Sequence, residues 1–199
     1  MLKYNLLLYV LSPFIFLRLL FYSFKTSGKL NFLFQKAIGR KSAKSYSIWI
    51  HAASVGEMKI AIKVSKKLRE RGYEKILITS NTPSSKLIFQ NNSVDGVDHR
   101  YLPVDFFFGT KRLVKSVASD ILIIIETEIW PNLYYLCKKN HTKVITINAR
   151  FSPPSGIAGL ITKSVYKDAI RNIDHIYCKS KKDMNSFLKF TNEFFFAIT

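Results

Sequence analysis

The sequence predicts an α/β fold: a parallel, Rossmann-like sheet with helices on both faces. Three observations predict it. From Ser47 onward, short runs rich in Ile, Val and Leu alternate with amphipathic stretches of helical period. The runs are joined through those helical stretches rather than by tight hairpin turns, which implies crossover connections and parallel pairing. Polar loops follow the runs, as they do where parallel strands end at a common edge and open onto a ligand crevice.

The elements follow in order. Residues 5–22, NLLLYVLSPFIFLRLLFY, carry one charge, Arg18. As a helix they span ~27 Å, near the ~30 Å of a bilayer's hydrocarbon. Residues 1–24 are therefore expected to be a membrane-anchor helix, either a single span or, given Pro13 and Arg18, a helix lying in the interface. A cleaved signal peptide fits less well, because no small-x-small site closes the run; a buried core helix is the plainer alternative. Residues 25–46 read as a basic linker, with Lys25, Lys29, Lys36, Arg40, Lys41 and Lys44 and no acidic residue before Glu57. That asymmetry assigns the remainder to the cytoplasmic side. Residues 47–199 are the Rossmann-like domain. Strands are expected at 47–53, 75–80, 99–105, 121–127, 143–149 and 175–180. Helices are expected at 57–71, 84–91, 106–118, 131–140, 158–171 and 181–190, with Asp105 placed to cap the one at 106–118.

A net charge of +18 invites a nucleic acid, an anionic membrane or a phosphorylated substrate as partner, with a lysine-rich coding background as the alternative to a selected basic face. The chain has no nucleic-acid-binding motif, so that partner is not expected. Cys137 and Cys178 lie outside any CxxC or Cys/His spacing, and His51, His99, His141 and His175 are scattered singly. Neither a disulfide framework nor a metal site is predicted. The sequence contains no G-x-G-x-x-G, P-loop, G-x-S-x-G or H-E-x-x-H pattern, which excludes the usual dinucleotide, P-loop, hydrolase and zinc-protease readings.

The candidate site residues sit in the polar loops. Ser54-Val55-Gly56-Glu57 fits S-x-x-E, a capping box that ties off a helix. Glu57 also suits a general base, since the helix dipole favours a negative charge there and Gly56 allows close substrate approach. Glu126 and Glu128 follow the apolar run Ile121–Ile125 and would share a face if the strand continued; a solvated strand end is the structural alternative. Trp130 reads as a packing anchor, Pro131 as the first helical turn, and Asn132 as a cap or a ligand contact. Ser80, Thr82, Ser84 and Ser85 suit phosphate or sugar hydroxyls at a helix start, although such turns are common. Arg150 directly after a strand suits an anion, with a surface arginine as the structural alternative.

Four blocks, HAASVGE, YLPVD, ETEIWPN and NARFS, stand in this order behind the apolar N-terminus. Together they resemble the 3-deoxy-D-manno-octulosonic acid (Kdo) transferases, inner-membrane glycosyltransferases of lipopolysaccharide assembly, over nearly the whole chain. The resemblance implies the N-terminal acceptor half of a two-domain GT-B enzyme at the cytoplasmic face of the inner membrane. It implies Glu57 as the base that activates a sugar hydroxyl of the lipid A precursor (lipid IVA). CMP-Kdo would be the donor, with inversion at the anomeric carbon and Glu126 as transition-state stabiliser. Ser54, Gly56, Thr82, Glu128, Asn132 and Arg150 would line the substrate side. No cofactor is implied, and no metal, because CMP as a leaving group lacks a diphosphate. Anionic inner-membrane lipid would be a further partner. Three departures stand out: Pro154 replaces an expected arginine, Ser85 an expected glycine, and the chain stops at Thr199 before a donor domain. The expectation is a chain inactive by itself. The alternative is a non-catalytic module that binds lipid A precursor at the membrane, or a degenerate gene product.

Overall fold

The computed structural model describes residues 1–24, 28–39, 41–126, 128–153, 156–191 and 196–197. Two helices come first, α1 (Leu2–Ser23) and α2 (Lys29–Ile38). The alternating body follows: β1 (Ile48–His51), α3 (Val55–Glu70), β2 (Ile76–Ser80), α4 (Pro83–Asn91), β3 (Val97–Tyr101) and α5 (Phe107–Val117). Its second half is β4 (Ile121–Ile125), α6 (Pro131–Lys139), β5 (Lys143–Ala149), α7 (Gly156–Ile170), β6 (His175–Cys178), α8 (Lys181–Thr191) and β7 (Phe196–Ala197). The strands form one parallel sheet in the order β3-β2-β1-β4-β5-β6-β7. The two-residue β7 is one strand more than the sequence leads one to expect.

Strand alternation explains both layers. Ile48 and Ile50 of β1 and Ile76 and Ile78 of β2 pack with Met58, Ala61 and Ile62 of α3. Trp49, Leu77, Leu122 and Ile124 point the other way, onto Leu113 and Val117 of α5 and Leu133 and Cys137 of α6. Both faces are covered, which is why these runs are apolar throughout. Phe151, Ile170, Ile176, Phe187 and Phe190 close a third cluster between the last helices and β6.

Three local expectations change. The third strand ends at Tyr101 rather than 105: Leu102 N still donates to Ser80 O at 2.9 Å, but Pro103 has no N–H with which to extend the ladder. Asp105 does not cap α5, whose N-cap is Phe106. Its carboxylate instead accepts from Asn132 N (2.9 Å) and Leu133 N (3.0 Å) at the start of α6. The stretch read as a basic linker contains α2, which buries Phe32, Gln35 and Lys36 at helical spacing. Its end packs tightly on α5: Gly39 lies at φ +63°, and a Cβ there would collide with the Gly109 carbonyl.

Helix α1 touches the body at points from Tyr4 to Leu19, and of its residues only Leu19 and Ser23 are buried. Tyr4 Oη donates to Asp105 (3.0 Å), Asn5 exchanges hydrogen bonds with Asn132, Tyr9 stacks on Phe106 at 5.5 Å, and Leu19 joins Phe32 and Tyr101. The helix is 22 residues long and contains an 18-residue window of mean hydropathy 1.9, long and apolar enough to cross a membrane by length and composition.

Candidate active site

The strand order reverses between β1 and β4, where chain connections leave in opposite directions and open a crevice at the C-terminal strand ends. Glu57 enters it from the first turn of α3, following β1, and Glu126 from the end of β4. A cleft of about 290 Å³ there is lined by Glu57, Glu126, Glu128, Ile129, Arg150, Phe151, Ser152 and Tyr166. Four of the residues selected from sequence thus meet in one hollow. A larger hollow of about 740 Å³, between Tyr46, Lys75 and Asp98, lies at the N-terminal strand ends and holds none of them.

Glu57 is held by a reciprocal cap. Ser54 Oγ accepts from Glu57 N at 3.2 Å, and Glu57 Oε2 accepts from Ala53 N at 2.8 Å. The carboxylate is therefore nearly buried yet still lines the cleft. Glu126 does not continue the strand, as face-sharing with Glu128 would require. It turns left-handed at φ +61°, its amide donates to Ile147 O, and Oε1 accepts from Asn148 Nδ2 at 3.4 Å. Asn148 is itself left-handed (φ +54°), beside a register shift between Thr146 and Ala149. Two non-glycine residues in this region, on adjacent strand ends, are strain of the kind that gathers at functional sites.

Glu128 accepts a short hydrogen bond from Tyr134 Oη at its backbone carbonyl. Burial first, then the neighbouring Glu57 charge, pushes its carboxyl up to about 7, while Trp130 and Lys36 pull it down. Lys36 is buried, and its ammonium donates to Leu102 O at 2.7 Å and Asn81 Oδ1 at 3.0 Å. Burial lowers it to about 7, opposed by Glu128. Beneath the crevice, burial and the Lys36 charge drop His51 to about 3; its Nδ1 pairs with Thr79 Oγ1 at 3.0 Å, and its ring meets Trp130 edge-on. A carboxyl held near neutrality beside two others is a chemically useful set, because environments that differ split proton-accepting from proton-holding roles.

The other selected residues are distributed differently. Ser54 and Gly56 are exposed at the helix start, outside the cleft lining. Thr82 caps α4, accepting from Ser85 N at 3.2 Å. Asn132 is fully buried between Asp105 and Asn5, a structural position away from the cleft. Thr127, Pro154 and Ser155 lie outside the described residues. Sequence reasoning missed Asn148, Tyr166 and Lys36. Only Asn148 left a signal, an Asn at a strand end, where a left-handed backbone is tolerated. Among the described residues no group of three or more His, Cys, Asp or Glu is spaced to hold a metal ion.

Known proteins share both fold and sequence with this chain. MurG of Acinetobacter baumannii superposes with a TM-score of 0.50 at 9% identity, covering 70% of this chain and 42% of that one. The likeness is one of fold, and it bears out the Rossmann-like half of a GT-B architecture expected from the sequence. The 3-deoxy-D-manno-octulosonic acid transferase of Rickettsia felis is 33% identical over 145 residues, 70% of this chain and 30% of that protein. The Haemophilus influenzae protein of the same name is 35% identical over 109 residues, and that of Bordetella pertussis 25% over 190. The chain spans about a third of the length of the curated relatives it matches. The family model for 3-deoxy-D-manno-octulosonic-acid transferase (kdotransferase) matches residues 24–194, so the chain belongs to that family.

Proposed function

We propose that this chain is the acceptor-side domain of a glycosyltransferase of lipopolysaccharide core assembly, moving Kdo from CMP-Kdo to the lipid A precursor. The observation that carries the reading is the convergence of Glu57, Glu126, Glu128 and Arg150 on one cleft at the strand-order switch point. A sugar hydroxyl is a poor nucleophile until a base takes its proton. Glu57, fixed by its cap and lining the cleft, takes that proton as the hydroxyl oxygen attacks the anomeric carbon of Kdo. The bond to CMP breaks on the opposite side, and the configuration inverts. No metal is required in this scheme. Glu126 stabilises the charge that develops on the sugar, and Arg150 at the rim suits the acceptor's phosphate or the donor's carboxylate. Ser54, Gly56 and Thr82 flank the acceptor's approach.

Helix α1 holds the domain at the cytoplasmic face of the inner membrane. Its contacts with the body run from Tyr4 to Leu19, which supports a helix lying along the body and in the plane of the interface rather than a span.

The test is complementation. The chain is incubated with acceptor and CMP-Kdo, alone and with a separately expressed donor half, and CMP release and product mass are followed. Turnover in the combination, absent with Glu57→Gln, supports the reading. Binding of the precursor without turnover in any combination points instead to a non-catalytic module.

A further inference from the structure

Two hollows meet at the start of α5. One, of about 390 Å³, runs between α1, α2 and α5 and is walled by Tyr9, Ile38, Phe106 and Phe108. The other, of about 430 Å³, shares Phe108 and Arg112 with the first and is lined by Lys41, Lys111 and Lys115. Neither lining contains an acidic residue. The groove is thus apolar at one end and cationic at the other. Gly39 and Gly109 let the backbones of α2 and α5 approach closely beside it.

We propose that this groove seats an acidic phospholipid, with the phosphate among Lys41, Lys111, Arg112 and Lys115 and an acyl chain against Ile38, Phe106 and Phe108. The inference rests on the membrane reading of α1 and goes beyond it by assigning a second, charge-selective contact. What favours lipid is continuity. On the outer side of α1, Leu6, Val10, Phe14, Leu17 and Phe21 are each at least 62% exposed, as is Phe108 at the groove mouth. Apolar exposure on this scale is an interaction surface, and its helix is of membrane-spanning composition. A second copy of a chain of net charge +18 would be repelled from a cationic groove. The groove shares no residue with the carboxylate cleft, so it is separate from the acceptor site.

The experiment is flotation of the full chain with vesicles of phosphatidylcholine alone, and of phosphatidylcholine with phosphatidylglycerol; no glycolipid acceptor is present. Wild type is expected to bind both and to prefer the acidic vesicles. The variant Lys111→Gln/Arg112→Gln/Lys115→Gln keeps neutral binding and loses the preference, by about fivefold per cation and on the order of a hundredfold in all at low salt. A control with the same charge loss on α3, Lys63→Gln/Lys66→Gln/Lys67→Gln, retains it. Equal loss in both variants reduces the effect to net charge and overturns the groove. So does removal of the preference by inorganic phosphate, or a change of oligomeric state in the first variant. Wild type that binds the two vesicles equally overturns the groove alone; wild type that binds neither overturns the membrane reading as well.

Discussion

At Glu57 one carboxylate both closes a helix and faces a cleft, and substitution separates the two roles. Glu57→Gln keeps an oxygen for Ala53 N–H, so it loses little beyond the dipole interaction, about 0.5 kcal/mol of unfolding free energy. Glu57→Ala loses the cap as well and costs about 1 kcal/mol. In the complemented enzyme both lower turnover by about 10²- to 10⁴-fold if the carboxylate is the base. Urea titration beside CMP release reads the pair, and wild-type turnover in the Gln variant would remove Glu57 from the chemistry. Glu126 offers the opposite dissociation. Its left-handed backbone is of order 1 kcal/mol unfavourable for a residue with a Cβ. Glu126→Gly therefore leaves stability level or raises it by up to about 1 kcal/mol while abolishing transfer, as expected where function is kept at the expense of local strain. A clear loss of stability instead would mean that the Asn148 contact holds the loop together. Both glutamates were legible in the sequence as loop carboxylates. The backbone turn at Glu126 was not, because nothing local to ILIIIETE marks a non-glycine residue as left-handed.

Among the elements, the sequence showed where helices and strands lie better than which of them a given residue serves. Asp105 precedes α5 and reads as its cap, yet it caps α6, 27 residues on, and receives Tyr4 from α1. A cap is read from near neighbours, whereas this one depends on α5 and α6 packing side by side. Asp105→Ala leaves two amides and a tyrosine hydroxyl unsatisfied at the junction of three helices. A destabilisation of about 2–4 kcal/mol is expected, with loss of α1 protection in hydrogen exchange. A cost below about 1 kcal/mol would mean that α1 is not anchored there. α2 was hidden for a related reason: its lysines suggested a solvated linker, while Phe32, Gln35 and Lys36 are buried by β3 and α5 partners distant in sequence. At the end of β1, His51 yields a pH signature. Burial lowers its folded pKa from 6.5 to about 3. The neutral ring's contribution is therefore complete above about pH 6.5 and is lost as pH falls toward 3. His51→Gln should be less stable than wild type at pH 7.5, with a gap that closes by about 1.4 kcal/mol per pH unit below 6.5. Parallel stability curves for the two proteins would show that the ring is protonated in place.

For the whole molecule, alternation along the chain was enough to infer a parallel sheet and a ligand edge, but not the strand order. Glu57 and Glu126 meet because β4 returns to pair with β1 instead of extending the sheet beyond β3, a choice made by packing on both faces. The same packing bears on the membrane role proposed for α1. Its composition suits a span, and its outward residues alone would be read as one. Tyr4, Asn5, Tyr9 and Leu19 contact the body at points along the helix, and a helix held at all of these points would draw the domain toward the bilayer if it crossed. The proposed in-plane arrangement predicts a depth profile. A single reporter placed in turn at Leu6, Val10, Phe14, Leu17 and Phe21 should be quenched by lipid-borne nitroxides at one shallow depth, about 5–10 Å below the headgroups. A span instead places Val10 and Phe14 near the bilayer centre and the two ends at opposite surfaces. That profile would mean that α1 leaves the domain in the membrane, uncovering Phe32, Tyr101 and Asp105.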